Sequence, residues 1–134
     1  MHRPPLRLLR LANPVVRAVL DSRMHRVLSG RLVVVEYRGH HSGRTFRIPL
    51  RFAPVTSDTV VAVAVQPQRK LWWRSFARPA PAVLRLAGSD VAAEGALVEG
   101  AARERALAAY VARFPHSAGL TRDAAVVVFE RRDG

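Results

Sequence analysis

The clearest pattern of apolar and polar positions spans residues 45–52, where Phe46, Ile48, Leu50 and Phe52 alternate with Thr45, Arg47, Pro49 and Arg51. A period of two sends the two sets to opposite faces of a strand. Pro49 cannot donate to a ladder, so the strand is expected at a sheet edge or a bulge. Ahead of it, the β-branched run from Leu32 to Tyr37 predicts a first strand, with a hairpin tip at Gly39 to Gly43 between them. Pro54 to Asp58 reads as a turn, and Thr59 to Val65 as a third strand that is apolar on both faces. Three consecutive strands on short connections predict a meander rather than a parallel α/β sheet.

The second half continues the pattern. Gln66 to Lys70 is a polar loop, and Leu71 to Ala77 a short helix carrying Trp72 and Trp73, stopped by Pro79 and Pro81. Ala82 to Ala87 and Val91 to Val98 form a hairpin around Gly88-Ser89-Asp90. Ala101 to Phe114 predicts an amphipathic helix with Leu107, Tyr110, Val111 and Phe114 on one face, and Ala124 to Glu130 a last strand. At the front of the chain, Asn13-Pro14 supplies an N-cap and a proline at the first helical position. Val15, Val16, Val19, Leu20, Met24, Val27 and Leu28 then keep helical spacing as far as Gly30. About six strands and three helices result. They predict a single, mainly β domain: residues 1–30 as a leading amphipathic segment, and residues 31–134 as a small antiparallel barrel with helices packed outside it.

Composition narrows this picture only a little. With 134 residues and 49% hydrophobic content, one domain can bury about two-thirds of its unfolded surface. No apolar run approaches the roughly 18 residues of a membrane span, and arginines interrupt the N-terminal apolar residues, so no signal-peptide core is visible. A cytoplasmic location is the expectation. The absence of cysteine excludes disulfides, thiolate metal sites and a cysteine nucleophile.

A formal charge of +12 calls for an anionic ligand, a membrane surface or a polyanion. Lys70 is the only lysine, however, and an arginine-rich chain with abundant Ala and Val points as much to codon bias as to function. The basic, amphipathic residues 1–30 offer peripheral contact with an anionic membrane, although packing on the parent domain is the commoner fate of such a helix. Nucleic-acid binding is the weaker option, because the basic residues are spread along the chain without a standard motif.

Candidate chemistry centres on the hairpin tip. No nucleophile elbow, zinc-protease helix, Walker loop or dinucleotide fingerprint is present. Acidic residues are too scattered for a paired-carboxylate scheme, and adjacent His40 and His41 are expected on opposite sides of an extended segment, which argues against a shared metal. Gly39 and Gly43 permit positive φ, Ser42 offers a hydroxyl, and Arg44 and Arg47 offer planar, permanently charged forks. Together they suit an anion nest holding a phosphate, against the plainer reading of an ordinary basic hairpin. Trp72 and Trp73 read either as core plugs or as a wall beside a flat ring. The two features together suit a ligand with a phosphate tail and an aromatic head.

Three segments give the chain a resemblance. Asn13-Pro14-Val15-Val16-Arg17 through His25 to Arg31, then Gly39-His40-His41-Ser42-Gly43-Arg44 with Ile48-Pro49, then Trp72-Trp73-Arg74-Ser75-Phe76 with Ala80-Pro81 and Leu84-Arg85-Leu86, resemble the deazaflavin-dependent nitroreductase family. That family lies within the split-barrel flavin-binding superfamily of pyridoxamine-phosphate-oxidase-like proteins. The resemblance covers about residues 13 to 100. It implies a split barrel that binds the deazaflavin coenzyme F420, with FMN as the alternative, and passes hydride from it to a small electrophile such as a quinone or nitroaromatic.

By the same resemblance, His40, His41, Ser42, Gly43, Arg44 and Arg47 hold the cofactor's anionic tail, while Ile48, Pro49, Trp72, Trp73 and Ser75 frame its ring. No side chain is needed as a catalytic acid or base, since the cofactor carries the hydride. Tyr110 and Phe114 are candidates for the substrate side, with core packing as their other role. Similar barrels often form homodimers. Two departures stand out: His40 and His41 occupy positions where the family has fixed cations, and Ser75 stands where it has Asn. A non-catalytic split barrel that binds a flavin, another ligand or a lipid surface is the alternative reading.

Overall fold

A computed structural model describes residues 32–86 and 89–132. The expected leading helix over residues 1–30 lies outside the described residues. Seven strands form one antiparallel sheet: β1 (Leu32–Arg38), β2 (Thr45–Arg51), β3 (Ala53–Thr56), β4 (Thr59–Ala64), β5 (Ala80–Leu86), β6 (Ser89–Leu97) and β7 (Ala125–Arg131). Their order across the sheet is β2-β1-β5-β6-β7-β4-β3. The two edge strands, β2 and β3, are consecutive in sequence and separated only by Phe52. A sheet whose opposite edges are joined by one residue has to curl, and this one does: β2 comes into contact with β4. The result is a curled half-barrel.

This arrangement corrects the expected meander. The chain does not fold β2 back against its successor; it turns the barrel corner at Phe52, which is fully buried, and joins the far edge. It also adds a seventh strand where a turn was expected. Pro54 is tolerated in β3 because β3 pairs only with β4, and a register shift between Pro54 and Thr56 absorbs the irregularity. Pro49 sits in the other edge strand, as its missing N–H requires.

Strand alternation builds two cores from one sheet. Val35, Ala62, Leu84, Val127 and Phe129 point inward and enclose Phe52, Trp72 and Phe76. On the opposite face, Ala53, Val61 and Val126 pack against Ala106, Tyr110 and Phe114 of the single α-helix of the described residues, α1 (Gly100–Arg113). The apolar character of Thr59 to Val65 on both faces is thereby explained, since β4 is covered on each side.

The inner core is aromatic and tight. The rings of Phe76 and Phe129 lie 5.1 Å apart, and those of Phe52 and Phe129 5.4 Å. Gly95 of β6 makes room for them: a Cβ there would lie 2.6 Å from Phe76 and 2.8 Å from Phe129.

Two arginines act as internal ties. Arg103 of α1 donates through Nη2 to the carbonyls of Arg122 at 3.0 Å and Ala124 at 2.9 Å, binding the helix to the segment that leads into β7. Arg131, with only 6% of its side chain exposed, pairs with Asp58 at 2.9 Å and holds the β3–β4 turn.

Candidate functional site

The hairpin tip is built by its glycines. Gly39 N–H donates to the Arg44 carbonyl at 2.8 Å, closing the ladder, and Gly43 N–H donates to the Gly39 carbonyl at 3.2 Å. That second bond makes residues 40–42 one helix-like turn, which Gly43 leaves at φ +71°. A side chain at this position would be strained, so the turn needs glycine. Ser42 Oγ accepts from Arg44 N–H at 3.1 Å and braces the exit.

The turn corrects the expected geometry of the histidines. His40 and His41 are not on opposite sides, because the backbone here is curled rather than extended; their rings lie 4.1 Å apart. Both are exposed. His40 Nδ1 lies 3.3 Å from Ser75 Oγ, a contact that spans 35 residues of sequence. Ser75 belongs to the 3-10 helix Trp72–Phe76, the form that the short helix expected over residues 71–77 takes. Five residues followed by proline leave room for a tight turn and little more.

Between tip and turn lies a cleft of about 240 Å³, lined by Tyr37, Gly39, Phe46, Leu71 and Ser75 together with His40, His41 and Ser42. Tyr37 and Phe46 stack with ring centroids 5.8 Å apart and form its wall. Phe46 is 40% exposed and Leu71 60%, two of the four exposed large apolar side chains among the described residues. Burial raises the Tyr37 phenol above its ordinary value, so the wall stays uncharged at neutral pH. The cleft therefore has a polar end at the tip and an apolar side along the rings.

Five of the residues singled out in sequence meet here: Gly39, His40, His41, Ser42 and Ser75. Gly43 and Arg44 are in the exposed tip beside them. The others are elsewhere. Arg47 alternates with Phe46 and so lies on the outer face, where its Nε donates to Glu36 at 3.0 Å. Glu36 also pairs with Arg85 at 3.2 Å. Pro49 shares the exposed outer row, and Ile48 packs against the inner core. Trp72 is buried in that core, while Trp73 is half-buried with its indole N–H donating to the Pro67 carbonyl at 2.8 Å. Tyr110 and Phe114 stack on each other at 5.0 Å in the outer core and do not line the cleft.

Sequence reasoning passed over Tyr37, Phe46 and Leu71. Phe46 had a usable signal, since it is the end of an inward row adjoining a polar tip, where the barrel interior must meet solvent. Leu71 had none beyond being apolar beside two basic residues. Among the described residues no three His, Asp or Glu side chains group as metal ligands, and no helix is long and apolar enough to cross a membrane.

No family profile matches the chain. No curated protein matches it in sequence. Solved structures do. The chain is similar to a heme-binding protein from Mycobacterium smegmatis, at 15% identity and TM-score 0.59, covering 81% of this chain and 50% of that one. It is similar to HutZ, the heme storage protein of Vibrio cholerae, at 13% identity and TM-score 0.61, covering 86% and 92%. A FAD-binding protein from Mesorhizobium loti matches at 10% identity and TM-score 0.55, covering 86% and 87%. The chain thus spans half the length of the mycobacterial protein and most of the other two. At such identities the shared property is the fold alone, a split barrel.

Proposed function

We propose that the cleft between the hairpin tip and the tryptophan turn binds a flavin-type cofactor, a deazaflavin by the resemblance of its motifs, and that the protein reduces a small electrophile with it. The observation that carries this reading is the two-ended cleft: two imidazoles and a hydroxyl at one end, stacked Tyr37 and Phe46 at the other. An anionic tail suits the first and a flat ring the second. At about 240 Å³ the cleft holds one part of such a cofactor, and the rest would extend along the open edge of β2.

When bound, a reduced deazaflavin supplies the hydride. The chain's own residues bind and orient. His40, His41 and Ser42 hold the anionic end, and Ser75 fixes the His40 ring through Nδ1. Tyr37 and Phe46 pack against the ring, and Leu71 keeps water from it. Arg47, committed to Glu36 on the outer face, has no part in the site.

Titration with oxidised and reduced deazaflavin and with FMN, followed through tryptophan fluorescence, tests the proposal. Saturable deazaflavin binding that weakens about tenfold or more in Phe46→Ala is expected, from the lost ring contact. Failure of every flavin to saturate would overturn it, and FMN binding alone would keep the site and change the cofactor. A second reading has its own observation. A heme, the ligand named for two of the similar structures, would also fit the cleft's apolar side, and one of the two exposed imidazoles, His40 or His41, would hold its iron. A heme absorbance band that is lost in His40→Ala or in His41→Ala would favour it.

A further inference from the structure

We propose that the barrel end carrying the cleft mouth docks on an anionic lipid bilayer, with Leu71 entering the headgroup layer and a group of cations holding it there. The proposal does not rest on the identity of the cofactor. It starts from the charge distribution. Residues 37–46 and 65–79 contain Arg38, Arg44, Arg69, Lys70, Arg74 and Arg78 and no acidic residue. Strand pairing brings both segments to one end of the barrel: Tyr37 pairs with Ala82 at the start of β5, directly after Arg78, and Ala64 ends β4 just before the turn. The shared cleft and the His40–Ser75 contact confirm that tip and turn are neighbours.

The second observation is apolar. Leu71, flanked by Arg69, Lys70 and Arg74, is 60% exposed, and Phe46, across the cleft, 40%. An apolar side chain projecting from a cationic rim matches the division of a bilayer into anionic headgroups and hydrocarbon. A nucleic acid would use the cations and leave the leucine idle. Orientation follows from the asymmetry. On the α1 side Leu120 is as exposed as Leu71, but the exposed charges near it are Glu99, Arg122 and Asp123, one cation against two carboxylates, so contact is favoured on the cleft side, where the charges are all positive.

Each cation brought to an anionic surface strengthens binding about fivefold. Full-length protein is mixed with vesicles of phosphatidylcholine alone and of phosphatidylcholine with about 30% phosphatidylglycerol. Binding to the anionic vesicles only is expected, falling with salt. The double substitution R69E/R74E should weaken it at least twentyfold by the same rule, and Leu71→Ser about tenfold. Because the chain has no cysteine, Leu71→Cys accepts a single polarity-sensitive dye. Its emission should shift to the blue on anionic vesicles, while the same dye at Glu104→Cys on the exposed side of α1 should not respond. Vesicle binding unchanged by R69E/R74E and Leu71→Ser would place the contact elsewhere and overturn the proposal. So would a silent dye at Leu71, or binding to a single-stranded oligonucleotide but not to vesicles.

Discussion

The two hydrophobic cores share strands β4 and β7 and differ at their surfaces: the outer one is covered by α1, and the inner one opens. On the outer face, Tyr110 and Phe114 close over Val61 and Val126. On the inner face, packing is complete from Phe52 to Phe76 and Phe129, then thins toward the hairpin tip, where Tyr37 is still buried but Phe46 is not. The row Phe46, Ile48, Leu50, Phe52 runs down this gradient along a single strand. Alternation alone creates faces; whether a face becomes core or site depends on what covers its ends.

The largest test of that contrast is to break both cores. Phe129→Ala should cost about 3–5 kcal/mol in denaturant unfolding, with no large neighbour free to fill the space. Phe114→Ala should cost less than this, since its site borders solvent and the Arg51 and Arg113 guanidinium groups lie over its ring. The two should also differ in kind. Loss of the inner ring should loosen the cleft and weaken ligand binding, whereas a folded Phe114→Ala protein should bind as the parent does.

Arg103→Met comes next. Removing a guanidinium that serves the carbonyls of Arg122 and Ala124 should cost about 1–3 kcal/mol, read as a shift in the denaturation midpoint, and should leave the cleft intact. It separates the seal of the outer core from its contents.

A smaller effect is expected at high pH. Burial raises Tyr110 above its ordinary value, an effect that Arg51's charge partly opposes. The folded state therefore favours the neutral phenol. The resulting stability is intact below about pH 10 and is lost as pH rises through the raised folded value. Denaturant unfolding across that range should show the loss in the parent and less of it in Tyr110→Phe. Because Tyr37 is shifted in the same direction by burial, Tyr37→Phe should remove a further share.

The smallest effect is expected at Arg47. Its pair with Glu36 is exposed, so Arg47→Gln should change stability by about 0.5 kcal/mol or less and cleft binding not at all. A marked loss of flavin affinity in this variant would bring the outer face into the site and end the simple division between faces.

Much of the barrel was legible from alternation, and the limits of that reading are specific. Thr59 to Val65 announced a strand covered on both sides. The ion pair of Arg47 was not anticipated: the resemblance assigns Arg47 to the cofactor's anionic tail, and only the strand register, which sets Glu36 opposite it, brings out the pair. The seventh strand was hidden because a proline in an edge strand looks like a turn. The histidine geometry was hidden because it depends on a bond from Gly43 to Gly39 that no side-chain pattern encodes. Tyr37 and Phe46 were hidden for another reason. Their residue types belong equally to core and to site, and only the end of the barrel distinguishes them.

Phe52 has a consequence for folding fidelity. As the only residue between the two sheet edges, it makes the registers of β1–β2 and β3–β4 interdependent. A slip of one position at either edge would drag Phe52 out of the aromatic cluster and turn an entire inward row to solvent. Edge strands usually guard against misalignment with charges or prolines acting separately. Here one buried ring allows the two margins of the sheet to proofread each other.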